Sequence, residues 1–178
     1  MRKIVVYELL SLDGVADAPD RILAGWDDAM DANLAAVIAT QDAVLFGRRT
    51  YDEWAHFWPG SEIEPFATFI NGVTKYVATS TPLDPEWANS RVIDGDLVEF
   101  VRGLKQQPGN DVGVHASLSV AQALLTAGVV DELKLVVGPM IIGHGRRLLD
   151  GLPSIKLELI RSVISPTGYL IVDYRVIP

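Results

Sequence analysis

Five short stretches hold the residue types that handle phosphates and hydroxyls. They are Ser11-Leu12-Asp13-Gly14, Gly47-Arg48-Arg49-Thr50, Thr79-Ser80-Thr81, His115-Ala116-Ser117-Leu118-Ser119 and Gly143-His144-Gly145-Arg146-Arg147. Glycine lets a backbone approach a ligand closely. Arginine makes charge-assisted contacts to phosphate. A helix that starts in such a turn offers free N–H groups and the positive end of its dipole. Together these stretches suit a multiply phosphorylated small molecule. Taken singly, each is equally an ordinary turn or a solvated arginine pair.

The elements around them decide where they meet. Residues 111–114 read as a short strand and 115–117 as a small-residue turn. Ser117 or Ser119 is placed to cap the following helix. In that helix Val120, Ala123, Leu124 and Ala127 recur at helical spacing. Gly128 stands where a helix end favours a left-handed residue. Residues 129–137 then form a nearly continuous apolar run, as in a buried parallel strand. The unit is βαβ.

Upstream, residues 3–10, 42–46, 74–79 and 91–94 read as strands, and 27–39, 51–57, 64–72 and 97–106 as helices. Met30, Leu34, Val37 and Ile38 mark the buried face of the first helix, and Asp27, Asp28 and Asp31 suit its first turn. Residues 15–25 and the two arginine pairs fall in loops. Residues 155–163 and 169–177 form strands joined through Ser165-Pro166-Thr167-Gly168, which favours an antiparallel hairpin. The expected fold class is α/β, with a mostly parallel sheet between helical layers and an antiparallel C-terminal edge. In a parallel sheet the five turns gather at one edge, where ligands bind.

Composition removes several classes of function. The 178 residues fit one domain, 1–178, with a substantial core. A net charge of −8 argues against nucleic acid as a partner. No apolar run is long enough for a bilayer. The basic, apolar start lacks a cleavage site, so it reads as a strand and the cytoplasm is the expected compartment. With no cysteine, disulfides, thiolate catalysis and cysteine-bound metals are excluded. His56, His115 and His144 lack ligand spacing, so no metal is expected. P-loop, GxGxxG and GxSxG patterns are missing.

The segments SLDGVAD (11–17), DAVLFGRRTYDEW (42–54), VATS (77–80), VHAS and GVVDELKLVVGPMIIGHGRRLLDG carry a resemblance over almost the whole chain. The sequence resembles the reductase domain of bacterial bifunctional riboflavin-biosynthesis deaminase-reductases, which has a dihydrofolate-reductase-like fold. That resemblance implies bound NADPH, a small heterocyclic substrate and a homodimer. Hydride would pass to C1′ of a ribosylamino-pyrimidine. It also implies cofactor contacts from Gly47, Arg48, Arg49, Thr50, Thr79, Ser80, Ala116, Ser117, Leu118, Gly143 and Gly145. Asp13 becomes the candidate catalytic contact to substrate, although it equally closes a turn with Gly14. Ala116 departs from the family's usual glycine, and a methyl there keeps the backbone farther from a phosphate.

Two other readings compete. A folate-type reductase would want a buried carboxylate, available only from Asp27, Asp28 or Asp31. A non-catalytic dinucleotide-binding protein would keep the fold without the chemistry. Asp131 and Glu132, as strand neighbours, point to opposite faces and cannot act as a catalytic pair. Trp54, Phe57 and Trp58 read as core.

Overall fold

Runs too apolar to face water on either side become the middle of a sheet. In the computed structural model, which describes residues 1–178, β1 (Ile4–Ser11) is such a run and is buried almost throughout. The other strands are β2 (Gln41–Gly47), β3 (Thr74–Ala78), β4 (Ser90–Val92), β5 (Asp111–His115), β6 (Glu132–Gly138), β7 (Lys156–Ile164) and β8 (Leu170–Ile177). They form one eight-stranded sheet in the order β4-β3-β2-β5-β1-β6-β8-β7. Pairings from β4 to β6 are parallel, and β8 runs antiparallel to both β6 and β7.

Strand alternation sends Ile4, Val6, Leu10, Leu133 and Leu135 to one face, under α5 (Leu97–Lys105) and α6 (Leu118–Thr126). The opposite face carries Tyr7, Val44, Phe46, Val77 and Val136 under α2 (Asp28–Ile38), α3 (Arg48–Phe57) and α4 (Phe66–Gly72). The result is the three-layer α-β-α arrangement expected, with the antiparallel hairpin at one edge. No helix is long and apolar enough to cross a membrane.

Several boundaries differ for physical reasons. The Gly47–Thr50 stretch is not a loop: α3 begins at Arg48, and its first turn is braced by i,i+4 pairs Arg48–Asp52 (2.6 Å) and Arg49–Glu53 (3.2 Å). The region 15–25 contains a short helix, α1 (Pro19–Ile22), opened by its proline. β6 starts at Glu132, three residues later than expected, because Asp131 is used as a clamp. Its carboxylate accepts from the Ile4 N–H (2.7 Å) and from Lys105 Nζ (2.6 Å). Glu132 instead faces Lys3 and Lys134, so the neighbouring carboxylates do part company. Trp54 and Trp58 pack against Phe66, but Phe57 is 53% exposed and is not core.

Lys75 and Glu8 are buried ionisable side chains that escaped the sequence reading. Lys75 is fully buried and caps the end of α4, donating to the carbonyls of Ile70 (2.8 Å) and Val73 (2.9 Å). Its ammonium also lies 4.6 Å from the centre of the Trp87 ring. Glu8 shares its face with Val6 and Leu10, deep in the α6 layer. One of its oxygens accepts from the Leu9 N–H, and the other has no partner.

Burial pushes the Glu8 carboxyl from 4.5 up to about 8. The folded chain therefore keeps a proton that the unfolded chain has lost. Stability falls as pH rises through that window and levels off above it. Glu8→Gln removes this dependence. Its gain over the wild type in urea unfolding should grow by several kcal/mol from pH 5 to pH 8, with a slope of about 1.4 kcal/mol per pH unit. A difference that does not change with pH would reject a buried acid at this position.

Candidate functional site

Strands β2 and β5 are neighbours, with Leu45 paired to Val114. The turns that follow them therefore arrive side by side. The Gly47 N–H donates to Ser117 Oγ at 2.9 Å, and Thr50 Oγ1 donates to the Ala116 carbonyl at 3.0 Å. Ser117 is the N-cap residue of α6, yet its hydroxyl does not bond its own helix. The expected serine cap is absent because that oxygen is occupied by the neighbouring turn.

Of the four helices with nine or more residues, α2 and α5 are capped by carboxylates. Asp27 accepts from Ala29 and Met30, and Asp96 from Val98 and Glu99. α3 and α6 have no side-chain cap. Their first-turn N–H groups are left for an outside acceptor, and both dipoles are positive at the same place. Two adjacent bare helix starts fit a diphosphate. Leu118 offers only its backbone here, since its side chain is buried in the core. Ala116 carries φ +49°, in the left-handed region.

Beside this double turn lies a cleft of about 680 Å³, lined by Thr79, Ser80, Val92, Ile93, Asp94 and neighbours. It is large enough for an adenosine. Arg48 ties the cleft to the helix starts. Its Nε bonds Asp52, while one terminal nitrogen donates to Thr81 Oγ1 (2.6 Å) and the Pro82 carbonyl (2.8 Å). Arg49 is exposed, pairs with Glu53 and makes no hydrogen bond to the cleft residues. So Gly47, Arg48, Thr50, Thr79, Ser80, Ala116 and Ser117 converge, and Arg49 stands apart.

The remaining predicted residues form a second, cross-braced pair of loops at the same edge of the sheet. Asp13 Oδ1 accepts from Ser11 Oγ (2.7 Å) and the Ile142 N–H (3.0 Å). Oδ2 accepts from the Gly143 N–H (2.8 Å) and Arg147 (3.3 Å). The Ser11 hydroxyl, followed by the two N–H groups, holds this carboxyl well below the usual carboxylate range. A bridge between Val15 and Arg147 closes the pair. Asp13 therefore presents no free oxygen to a substrate. The Gly143 N–H is likewise committed, and Gly145, at φ +127°, packs against Asp17 and Val15. These glycines shape the loop around Asp13.

Sequence reasoning missed a row of polar side chains across the α2 side of the sheet. Register pairs His115 with Tyr7, Tyr7 with Lys134, Lys134 with Asp173, and Asp173 with Arg161. Their scattered positions in the chain leave no motif. His115 Nε2 lies 2.7 Å from Gln41 Oε1, and its ring packs on Tyr7 and Phe66. Burial pushes His115 down to about 3, so it is neutral at pH 7. No carboxylate of α2 joins the row. Asp27 caps the helix, Asp31 accepts from the Trp26 indole, and the buried residues are Met30, Asn33, Val37 and Ile38. The buried carboxylate that a pterin-gripping site would take from this helix is missing, and the row's own buried carboxylate, Asp173, comes from β8.

Comparison with known proteins bears on this geometry. The family model described as the RibD C-terminal domain matches residues 2–171. The uncharacterized protein YyaP of Bacillus subtilis is 24% identical over 98% of this chain and 95% of its own. A candidate riboflavin biosynthesis protein of Shewanella sp. PV-4 superposes with a TM-score of 0.80, at 19% identity and 99% coverage of both chains. A deaminase/5-amino-6-(5-phosphoribosylamino)uracil reductase of Thermotoga maritima superposes with a TM-score of 0.69 at 17% identity. The match covers 99% of this chain and 57% of that one.

The left-handed alanine gives a direct test of the double turn. Ala116→Gly should raise stability in chemical denaturation by about 0.5–1 kcal/mol, because relief of a left-handed Cβ slightly exceeds the added unfolded-state entropy. A loss of stability would mean that the methyl packs favourably and carries no strain.

Proposed function

The chain belongs to the RibD C-terminal domain family, and from that membership we propose that it is a nicotinamide-dinucleotide-dependent reductase of a small heterocycle. The observation that carries this reading is the pair of bare helix starts, α3 and α6, cross-tied beside an adenosine-sized cleft. The donor set fits a dinucleotide. First-turn N–H groups of both helices would hold its diphosphate, and Thr79 and Ser80 would line its adenosine end. NADPH is the form that the resemblance implies.

When bound, the dinucleotide supplies a hydride. The protein's own work is then alignment of donor and acceptor, with exclusion of water. A ribosylamino-pyrimidine is the proposed acceptor, by analogy with the reductase activity named for the Thermotoga maritima protein. The folate-type alternative is weakened because the buried face of α2 carries no carboxylate. Asp13 enters as a positioning residue that holds the loop at 142–147 against the end of β1.

Asp13→Asn would set an amide N–H against one of the donors that now bond the carboxylate. The loop should loosen, and kcat/KM with a ribosylamino-pyrimidine should fall by about tenfold or more, followed by loss of nicotinamide absorbance. Turnover equal to wild type would remove Asp13 from the reaction. Turnover with dihydrofolate alone would overturn the pyrimidine assignment.

A second copy of the chain is the proposed partner. β7 is exposed along its whole length and presents Leu159, Ile160 and Ile164 at an open sheet edge. Apolar edges of this kind invite pairing. Light scattering should return a dimer mass, and Ile160→Lys should shift it toward monomer. A monomer mass for the wild type at micromolar concentration would reject this surface as an interface.

A further inference from the structure

We propose that Asp94 sets the ribose specificity of the adenosine cleft, accepting the hydroxyls of an unphosphorylated ribose and opposing a 2′-phosphate. This rests on the dinucleotide reading above and goes further by naming the residue that selects between its two forms.

None of the eight residues that line the cleft is a lysine or arginine, and Asp94 is the single charged residue among them. Its carboxylate is exposed and has no hydrogen bond or ion pair within the protein. The contrast with Asp96, two residues on, is informative. Asp96 is engaged in capping α5, whereas Asp94 lies before that cap and does no structural work.

The arginine tied to this wall of the cleft by its contacts, Arg48, is already restrained. Asp52 holds its Nε, and Thr81 and Pro82 hold one terminal nitrogen. That leaves a single terminal nitrogen and cancels much of its charge locally. Arg49 is paired outward with Glu53. A 2′-phosphate carries close to two negative charges and offers only acceptors, which is the wrong complement for a free carboxylate. A ribose diol offers two O–H donors to its two oxygens, the arrangement by which acidic residues read an unphosphorylated ribose in dinucleotide sites. The cleft should therefore bind NADH at least as tightly as NADPH, against the preference that the resemblance implies.

The test is binding, measured by calorimetry and by nicotinamide fluorescence, of NADH and NADPH to the wild-type protein and to Asp94→Asn. Adenosine 5′-monophosphate and its 2′-phosphorylated form serve as cofactor fragments. The wild type should show no preference for the 2′-phosphorylated ligands. Asp94→Asn should tighten them by about tenfold at low salt, while NADH binding weakens or stays level. The gain should shrink as salt screens the exposed charge. Since Asp94 has no partner in the fold, the variant should keep the wild-type melting temperature, which separates specificity from stability. An equal change for both dinucleotides, or a wild-type preference for NADPH of about tenfold or more, would overturn the role of Asp94. Failure of the wild type to bind either dinucleotide would instead overturn the cofactor reading, and this inference with it.

Discussion

The hydrogen bond from the Gly47 N–H to Ser117 Oγ organises the whole candidate site. It joins the turn after β2 to the turn after β5, and it takes from α6 the hydroxyl that would have capped it. With Thr50 Oγ1 bonded to the Ala116 carbonyl, the link becomes a two-point clasp. A serine that capped its own helix would take up one of the free first-turn N–H groups that a ligand could otherwise use. Spent on the neighbouring turn, it fixes two helix starts in register and keeps their N–H groups available. The left-handed backbone at Ala116 follows from the same constraint, because the chain must turn sharply between β5 and α6 to place Ser117 there.

The charges around the site are arranged to restrain arginines. Arg48 and Arg147 are each tied down, one to Asp52 and the loop after β3, the other to Asp13. Both then act as struts between loops more than as free cations. This suits a site whose anion binding comes from backbone N–H groups. Helix starts hold a diphosphate without the long, flexible side chains that cost entropy to immobilise.

The sheet beneath is less uniform than its apolar strands suggest. Lys75 is accepted in the core because it meets the bare carbonyls at the end of α4, where a positive charge is favoured. Glu8 has no comparable partner and survives by holding its proton. The row from His115 to Arg161 runs across five strands, and its members are polar at a level where an apolar layer would pack more simply. The clasped helix starts and the open cleft suit a dinucleotide-binding protein with or without the chemistry, so turnover is what separates the catalytic reading from the non-catalytic one.

Some of this was legible in the chain by itself. Alternation and apolar runs determined the strands and helices, since burial on one face or two leaves a period in the residue types. The SLDG, GRRT, HAS and GHGRR stretches marked turns, because glycines and hydroxyls favour them through local backbone geometry. Local rules could not say which turns meet. That depends on strand order, which puts β2 beside β5 and β1 beside β6. Only the tertiary structure separated the turns into a clasp of helix starts and a braced loop around Asp13. Only it showed that Arg49 is paired with Glu53, that Ser117 does not cap its helix, and that Asp94 stands unpaired in the cleft. A residue's type tells which bonds it can make. The neighbours that the fold brings to it decide which of them are left open for a ligand.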